Sequence, residues 1–228
     1  MRLMDKDRPE SGVADPKPPE PAGREGRGDM PRRASRPKPP ERSSEFLGGR
    51  ILIAMPGIGD PRFERSVLLI CGHDAGHAMA IAVNRPLDGL SVPALLQRLG
   101  LGHEGVPEAP VLSGGPVERE RGYVLHSDDY AAEGSTVPVA EGVGLTDTRE
   151  VLDALGDASR RPRRSLLALG YAGWGPGQLE SELRQGVWLT CDPDEELLFG
   201  RDYAGKWAVA LAKIGVTPDR LSPQAGRA

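Results

Sequence analysis

Residues 46–87, FLGGRILIAMPGIGDPRFERSVLLICGHDAGHAMAIAVNRPL, decide the fold. Three apolar runs, Arg50 to Met55, Ser66 to Cys71 and Ala78 to Val83, are separated by short connections rich in Gly, Asp and Pro. The runs are nearly continuous rather than alternating, which predicts strands covered on both faces. Gly72-His73-Asp74-Ala75-Gly76-His77 predicts a hairpin between the second and third, closed by glycines at positive φ. Pro56, Gly57, Gly59, Asp60 and Pro61 predict a loop of fixed shape before the second strand.

Further along, Val92, Leu95, Leu96 and Leu99 recur at helical spacing within Ser91 to Leu99, and Gly100 is a C-terminal stop. Val111-Leu112 and Tyr123 to His126 read as strands flanking Ser113-Gly114-Gly115-Pro116. Asp147-Thr148-Arg149-Glu150 predicts a helix start in which the aspartate accepts an amide and the glutamate reaches back. Val151, Leu152 and Leu155 follow on one face, with Gly156 as the end. Ser165 to Leu169 reads as a strand, Gly170 to Gly177 as a glycine-rich loop, Gln178 to Arg184 as a helix and Trp188 to Cys191 as a strand. Asp192-Pro193-Asp194-Glu195 starts a short helix. A last helix, Tyr203 to Ile214, carries Tyr203, Trp207, Ala210, Leu211 and Ile214 on one stripe. Strands dominate early and helices are interspersed later without a regular βαβ repeat, so the fold class is α+β.

Composition divides the 228 residues in two. The first 44 hold nine of the 22 prolines, dense mixed charge and almost no aliphatic residue larger than alanine. Such a stretch buries too little apolar surface to offset its chain entropy, which predicts a disordered arm over 1–44 and one domain over 45–228. The arm carries 11 Lys and Arg against 8 Asp and Glu, the remainder 18 against 25, a net −7. An acidic body repels a phosphate backbone, so direct DNA binding by it is disfavoured. Arg32, Arg33, Arg36 and Lys38 in the arm lack interleaved aromatics and read as a solvated extension. MRLMDKDRPE lacks the apolar core of a signal peptide, and no apolar run reaches membrane-spanning length. Two cysteines, Cys71 and Cys191, show no disulfide-framework spacing, which predicts reduced thiols in the cytoplasm.

Cys71, His73 and His77 form C-x-H-x3-H, a soft-ligand pattern, but a closed zinc site needs four ligands and this stretch offers three. A buried cysteine beside turn histidines is the expectation, with no metal and no cofactor. Cys71 with His73 as nucleophile and base is the enzymatic alternative: the two lie on one face of a strand, with no helix N-terminus to lower the thiol pKa. The loop from Gly170 to Gly177 is neither a dinucleotide fingerprint nor a P-loop, and Glu180 and Glu182 would oppose an anion at the following helix. Asp60, Glu64, Asp74 and Asp88 read as surface carboxylates.

The blocks LIAMPGIGDPRFERSVLLIC, AMAIAVNRPL, SGGPVERERGYVLH, LTDTREVLDAL, LGYAGWGPGQLESEL and KWAVALAKIGVTPDRLS occur in this order. On them the chain from Phe46 to Ala228 resembles the YqgE/AlgH family. The resemblance implies a single α+β domain with a strongly bent, partly barrel-like sheet and flanking helices. One branch of that family is linked in name to transcriptional regulation of alginate production, without a recognised DNA-reading element. The chain departs from the family's usual pattern at Gly72, His77, Ala80 and Arg227, and the arm has no counterpart in typical members. The expectation is a non-enzymatic binding or regulatory module acting on a protein or small-molecule partner. Its candidate contact surface is Asn84, Arg85, Ser113, Gly114, Gly115, Tyr171 and Trp174. A thiol-dependent enzyme or redox protein using Cys71 is the alternative.

Overall fold

Ile51 to Ala54 show why this chain makes a sheet with two covered faces. These residues form β1 and all four are fully buried. Successive strand side chains point to opposite faces, so Ile51 and Ile53 enter one apolar cluster and Leu52 and Ala54 another. The computed structural model describes residues 46–218 and Leu221; the arm expected over residues 1–44 lies outside them.

A 3-10 turn at Pro61–Phe63, capped by Asp60, leads to β2 (Val67–His73) and β3 (Ala78–Ala82). The chain continues through β4 (Pro86–Ser91), α1 (Val92–Arg98), β5 (Pro110–Ser113) and β6 (Val117–Ser127). Next come β7 (Thr136–Ala140), β8 (Val143–Thr146), α2 (Arg149–Gly156) and β9 (Ser165–Trp174). Last are α3 (Gln178–Arg184), β10 (Trp188–Cys191), α4 (Glu195–Phe199) and α5 (Lys206–Lys213).

The strands run in the order β10-β1-β2-β3-β9-β6-β8-β7, with β5 attached in parallel to β9 and every other pair antiparallel. The far strand β7 comes back beside β2, so the sheet curls into a half-barrel. Its inner face carries Val67, Leu69, Ile81, Leu125 and Leu145, and Leu197, Trp207 and Leu211 of α4 and α5 fill one side of it. Outside, Leu179 of α3 packs with Trp174 and Trp188, while α1 and α2 place Leu96 and Leu155 against Val124 and Leu167. The fold is α+β, as the residue pattern implied, with the strongly bent sheet that the family resemblance implied.

Several local expectations are corrected. The segment Gly170 to Trp174 is not loop but the second half of β9, paired with β3 from Ala78↔Trp174 to Ala80↔Ala172. Gly170 is there because the backbone of Gly115 and Val117 passes within reach, a long-range fact with no local signature. Neither Gly72 nor Gly76 has positive φ; the Asp74 carboxylate closes the hairpin instead, accepting the Gly76 and His77 amides at 2.7 and 3.0 Å. Asp147 does not cap α2. Thr148 holds that position without a side-chain bond, and Asp147 pairs with Arg121. Strands β4, β7 and β8 had no apolar run to announce them. Pro138 sits inside β7, which an end strand tolerates because one row of its amides has no partner strand.

His126 is fully buried in β6. Its Nδ1 lies 3.0 Å from the Ser127 carbonyl and its Nε2 2.9 Å from the Thr146 hydroxyl, which in turn meets Thr136 at 2.7 Å. A ring N–H donated to the carbonyl leaves Nε2 to accept from the hydroxyl, so the imidazole is held neutral. Burial lowers its pKa below the ordinary 6.5. In that window the unfolded chain binds the proton and the folded one does not, so stability rises with pH. Unfolding free energy is therefore expected to fall as pH drops below about 6.5, and His126→Gln, which keeps the polar contacts, is expected to flatten the slope in urea titrations at pH 5 to 7.

Candidate functional site

Where the half-barrel is not filled by helices, its mouth is a hollow of about 600 Å³. Alternation delivers the wall: Cys71 follows Val67 and Leu69 on β2, Met79 precedes Ile81 on β3, and Tyr123 precedes Leu125 on β6. Tyr171 and Trp174 of β9, Val137 of β7, Val117 of β6 and Leu145 of β8 add further apolar lining. The Tyr123 and Tyr171 rings meet edge to face at 5.8 Å.

One charged group crosses this rim. The pairing of β6 with β9 slips from Val117↔Tyr171 to Gly122↔Leu169, so the segment between bulges out of the ladder. Glu118 within it has φ 46, a strained value for a residue with a side chain. The bulge brings Arg121 between Glu118, at 3.2 Å, and Asp147, and lays its guanidinium 5.5 Å from the Tyr123 ring centre. Burial pushes the Tyr123 phenol up to about 12, so it stays a neutral donor, 3.4 Å from the Glu118 carboxylate. The hollow therefore offers aromatic and sulfur surface under a preformed guanidinium and two carboxylates.

Of the seven residues singled out in the sequence, Tyr171 and Trp174 line this hollow and the other five do not. Asn84 accepts the Val67 amide and donates to the Arg65 carbonyl, both at 2.9 Å, and Arg85 donates to the Glu64 carbonyl at 2.9 Å. Both fasten the turn before β2, where Arg65 has φ 54. Ser113-Gly114-Gly115 is a crossing of backbones. A Cβ on Gly114 would lie 2.1 Å from the Gly170 carbonyl oxygen, and one on Gly115 would lie 2.0 Å from the Tyr171 carbonyl carbon. Asp60, Glu64, Asp74 and Asp88 are likewise absent from the hollow's lining.

Cys71 and His77 line the hollow, whereas His73 does not. Cys71 lies 3.5 Å from the Leu69 carbonyl, and burial pushes its thiol up to about 12. His73 Nδ1 accepts the Leu47 amide at 3.0 Å and its Nε2 lies 2.8 Å from Glu180, while exposed His77 pairs with Asp74. Among the described residues no group of three or more His, Cys, Asp or Glu is placed to hold a metal ion. Glu182 accepts the indole N–H of both Trp174 and Trp188, at 2.8 and 2.7 Å, tying α3 to β9 and β10. Sequence reasoning missed Glu118, Arg121, Tyr123 and Met79. The alternation Val117-Glu-Arg-Glu-Arg-Gly-Tyr123 was the available signal, but only the curl of the sheet brings it over Cys71 and Tyr171.

Comparison with known proteins agrees with this architecture. A family described as AlgH-like matches residues 51–219, and the chain belongs to that family. A UPF0301 protein of Caulobacter vibrioides is 63% identical over 185 residues, covering 81% of this chain and 95% of its own length. A UPF0301 protein of Bradyrhizobium diazoefficiens is 48% identical over 204 residues, covering 86% of this chain and 94% of its own. The solution structure of AlgH from Pseudomonas aeruginosa superposes with a TM-score of 0.63 at 36% identity, covering 82% of this chain and 99% of its own. A crystal structure from Corynebacterium diphtheriae shares the fold with a TM-score of 0.60 at 19% identity, covering 79% and 92% of the two chains.

Two outcomes follow from this geometry. Gly115→Ala is expected to lose several kcal/mol of stability or fail to fold, because its Cβ would overlap the β9 backbone, whereas Gly175→Ala, with open space around it, is expected to melt within a few degrees of the parent. Cys71 is half-buried with its thiol pKa raised by desolvation, and is expected to react with iodoacetamide at pH 7.5 more slowly in the native protein than in the urea-unfolded chain, as read by peptide mass spectrometry.

Proposed function

We propose that this protein is a non-enzymatic binding module whose ligand sits in the mouth of the half-barrel. The observation that carries the reading is the hollow itself: about 600 Å³ of aromatic, sulfur and aliphatic wall with convergent polar groups at its rim. Mouths of barrels are common ligand sites because curvature encloses volume that side chains do not fill. These groups suit binding: Arg121 is engaged by both Glu118 and Asp147, which leaves the trio one net negative charge, and burial raises the pKa of the Tyr123 and Cys71 protons.

A regulatory outcome fits this arrangement, since a ligand contacting the bulge at Glu118 to Arg121 would change the surface offered to a partner. The acidic charge of residues 45–228 speaks against duplex DNA as that partner. The two cysteines, free within one sheet, fit a reducing compartment, and we assign the protein to the cytoplasm. No helix among the described residues is long and apolar enough to cross a membrane.

The test uses Nile red, an uncharged dye that brightens on leaving water. The full chain is expected to enhance its emission, and Val137→Arg and Tyr171→Ala are expected to weaken that binding at least fivefold. Val137 is more than half exposed on an end strand, so its substitution leaves the fold intact. Equal enhancement by the parent and both variants would remove the mouth as the site.

A further inference from the structure

The body is acidic, yet one short run is not: Arg160-Arg161-Pro162-Arg163-Arg164, between α2 and β9. Helix α2 has already ended at Gly156, and the run lies in the irregular backbone that leads to β9. Arg160 turns back to Asp157 at 2.8 Å. The next three arginines, together with Arg201 beyond α4, line a separate cavity of about 130 Å³ that shares no residue with the mouth.

Two of this cavity's four arginines, Arg161 and Arg201, have no carboxylate partner among the described residues. The lining contains four guanidinium groups and not one carboxylate. Arg163 and Arg164 reach outward to Asp129 and Glu195, at 3.4 and 2.7 Å, neither of which lines it. Among the described residues Arg201 forms no ion pair. Arg161 is fixed from two sides: its Nε donates to the Leu155 carbonyl at the end of α2 at 2.7 Å, and its Nη1 to the Gly105 carbonyl at 2.8 Å. Its Nη2 is buried with no partner. A buried charged donor left unpaired is costly and rare, and Arg161 and Arg201, neither paired with a carboxylate, add like charge to one hollow. An oxyanion would relieve both.

The remaining wall limits what the oxyanion is attached to. Leu155, Leu167 and Phe199 make it apolar, and about 130 Å³ is close to the roughly 150 Å³ of an engineered cavity that admits benzene. A pinned guanidinium is preorganised for the planar, two-pronged recognition of phosphate or carboxylate. We propose that the cavity bounded by Arg161, Arg163, Arg164 and Arg201 is a binding site for a small oxyanion, a phosphate or carboxylate carried on an apolar body about one aromatic ring in size. It is a second site, independent of the ligand in the mouth.

Calorimetric titration of the full chain with phenyl phosphate, benzoate and benzyl alcohol at low salt tests this. Phenyl phosphate or benzoate is expected to bind at least tenfold more tightly than benzyl alcohol, and the stronger of the two identifies the oxyanion. Raising the salt from 50 to 200 mM is expected to weaken the anion and leave the alcohol unchanged. Exposed Arg201 is the variant of choice because its side chain makes no ion pair or hydrogen bond among the described residues: Arg201→Ala is expected to weaken the anion at least fivefold with little change in melting temperature, and Arg201→Lys to restore part of it. Anion binding no tighter than the alcohol, or binding indifferent to Arg201→Ala, would overturn the proposal. So would displacement of Nile red by phenyl phosphate, which would put the anion in the mouth. An oligothymidylate that binds more tightly than phenyl phosphate and is lost equally in Arg201→Ala would assign the cluster to a nucleic-acid backbone and overturn the small-ligand site.

Discussion

The structure turns on a crossing of bare backbones at Gly114 and Gly115. Gly114 donates its amide to the Leu169 carbonyl of β9 and accepts the Ala82 amide at the end of β3, at 2.8 and 2.9 Å. Three segments distant in sequence are thus joined at one glycine. Across the contact Gly170 has φ 72, and a Cβ on it would lie 2.7 Å from the carbonyl oxygens of Gly115 and Val117. The absence of side chains lets β5 lie parallel on the first half of β9 while β3 takes the second half. That branch point is where the sheet bends, and the bend encloses the mouth.

The bulge in β6 is the other consequence. Next to the close contact of Gly115 with Gly170, the register of β6 on β9 breaks after Val117, and the exposed residues Glu118 to Arg121 bulge from the ladder. Strain at Glu118 is offset by its contacts with Arg121 and Tyr123. The polar rim of the hollow is thus a by-product of how the strands cross, assembled from residues that in an unbent sheet would stand in solvent.

Helices divide the remaining labour by position. Those on the outer face seal the sheet, and α3 does so through one carboxylate, Glu182, that satisfies two indoles at once. The pair α4 and α5 enters the inner face, helped by Lys206, whose buried ammonium donates to the Val83 and Leu198 carbonyls at 3.0 and 2.7 Å. Burial draws that lysine down to about 8. The same helices stop short of the far end, and the volume they leave is the hollow.

Much of this was legible in the residues. Continuous apolar runs named β1, β2 and β3 because burial on both faces leaves no polar alternation, and the stripe of Trp207, Ala210 and Leu211 named α5 because only one face of it is covered. What failed was whatever depended on a distant neighbour: Gly170 to Trp174 passed for loop, and β7 and β8 passed unnoticed. The candidate surface fared likewise. Tyr171 and Trp174 line the hollow, but Asn84 and Arg85 spend their hydrogen bonds on the turn before β2, and a side chain's partner across the fold leaves no mark in its own sequence. The amino-acid order by itself determined which segments are buried and on how many faces, since hydrophobic periodicity is local. Which charged groups converge, Arg121 over the mouth and Arg161 beside Arg201, was decided by tertiary structure alone, because convergence depends on strand order and curvature.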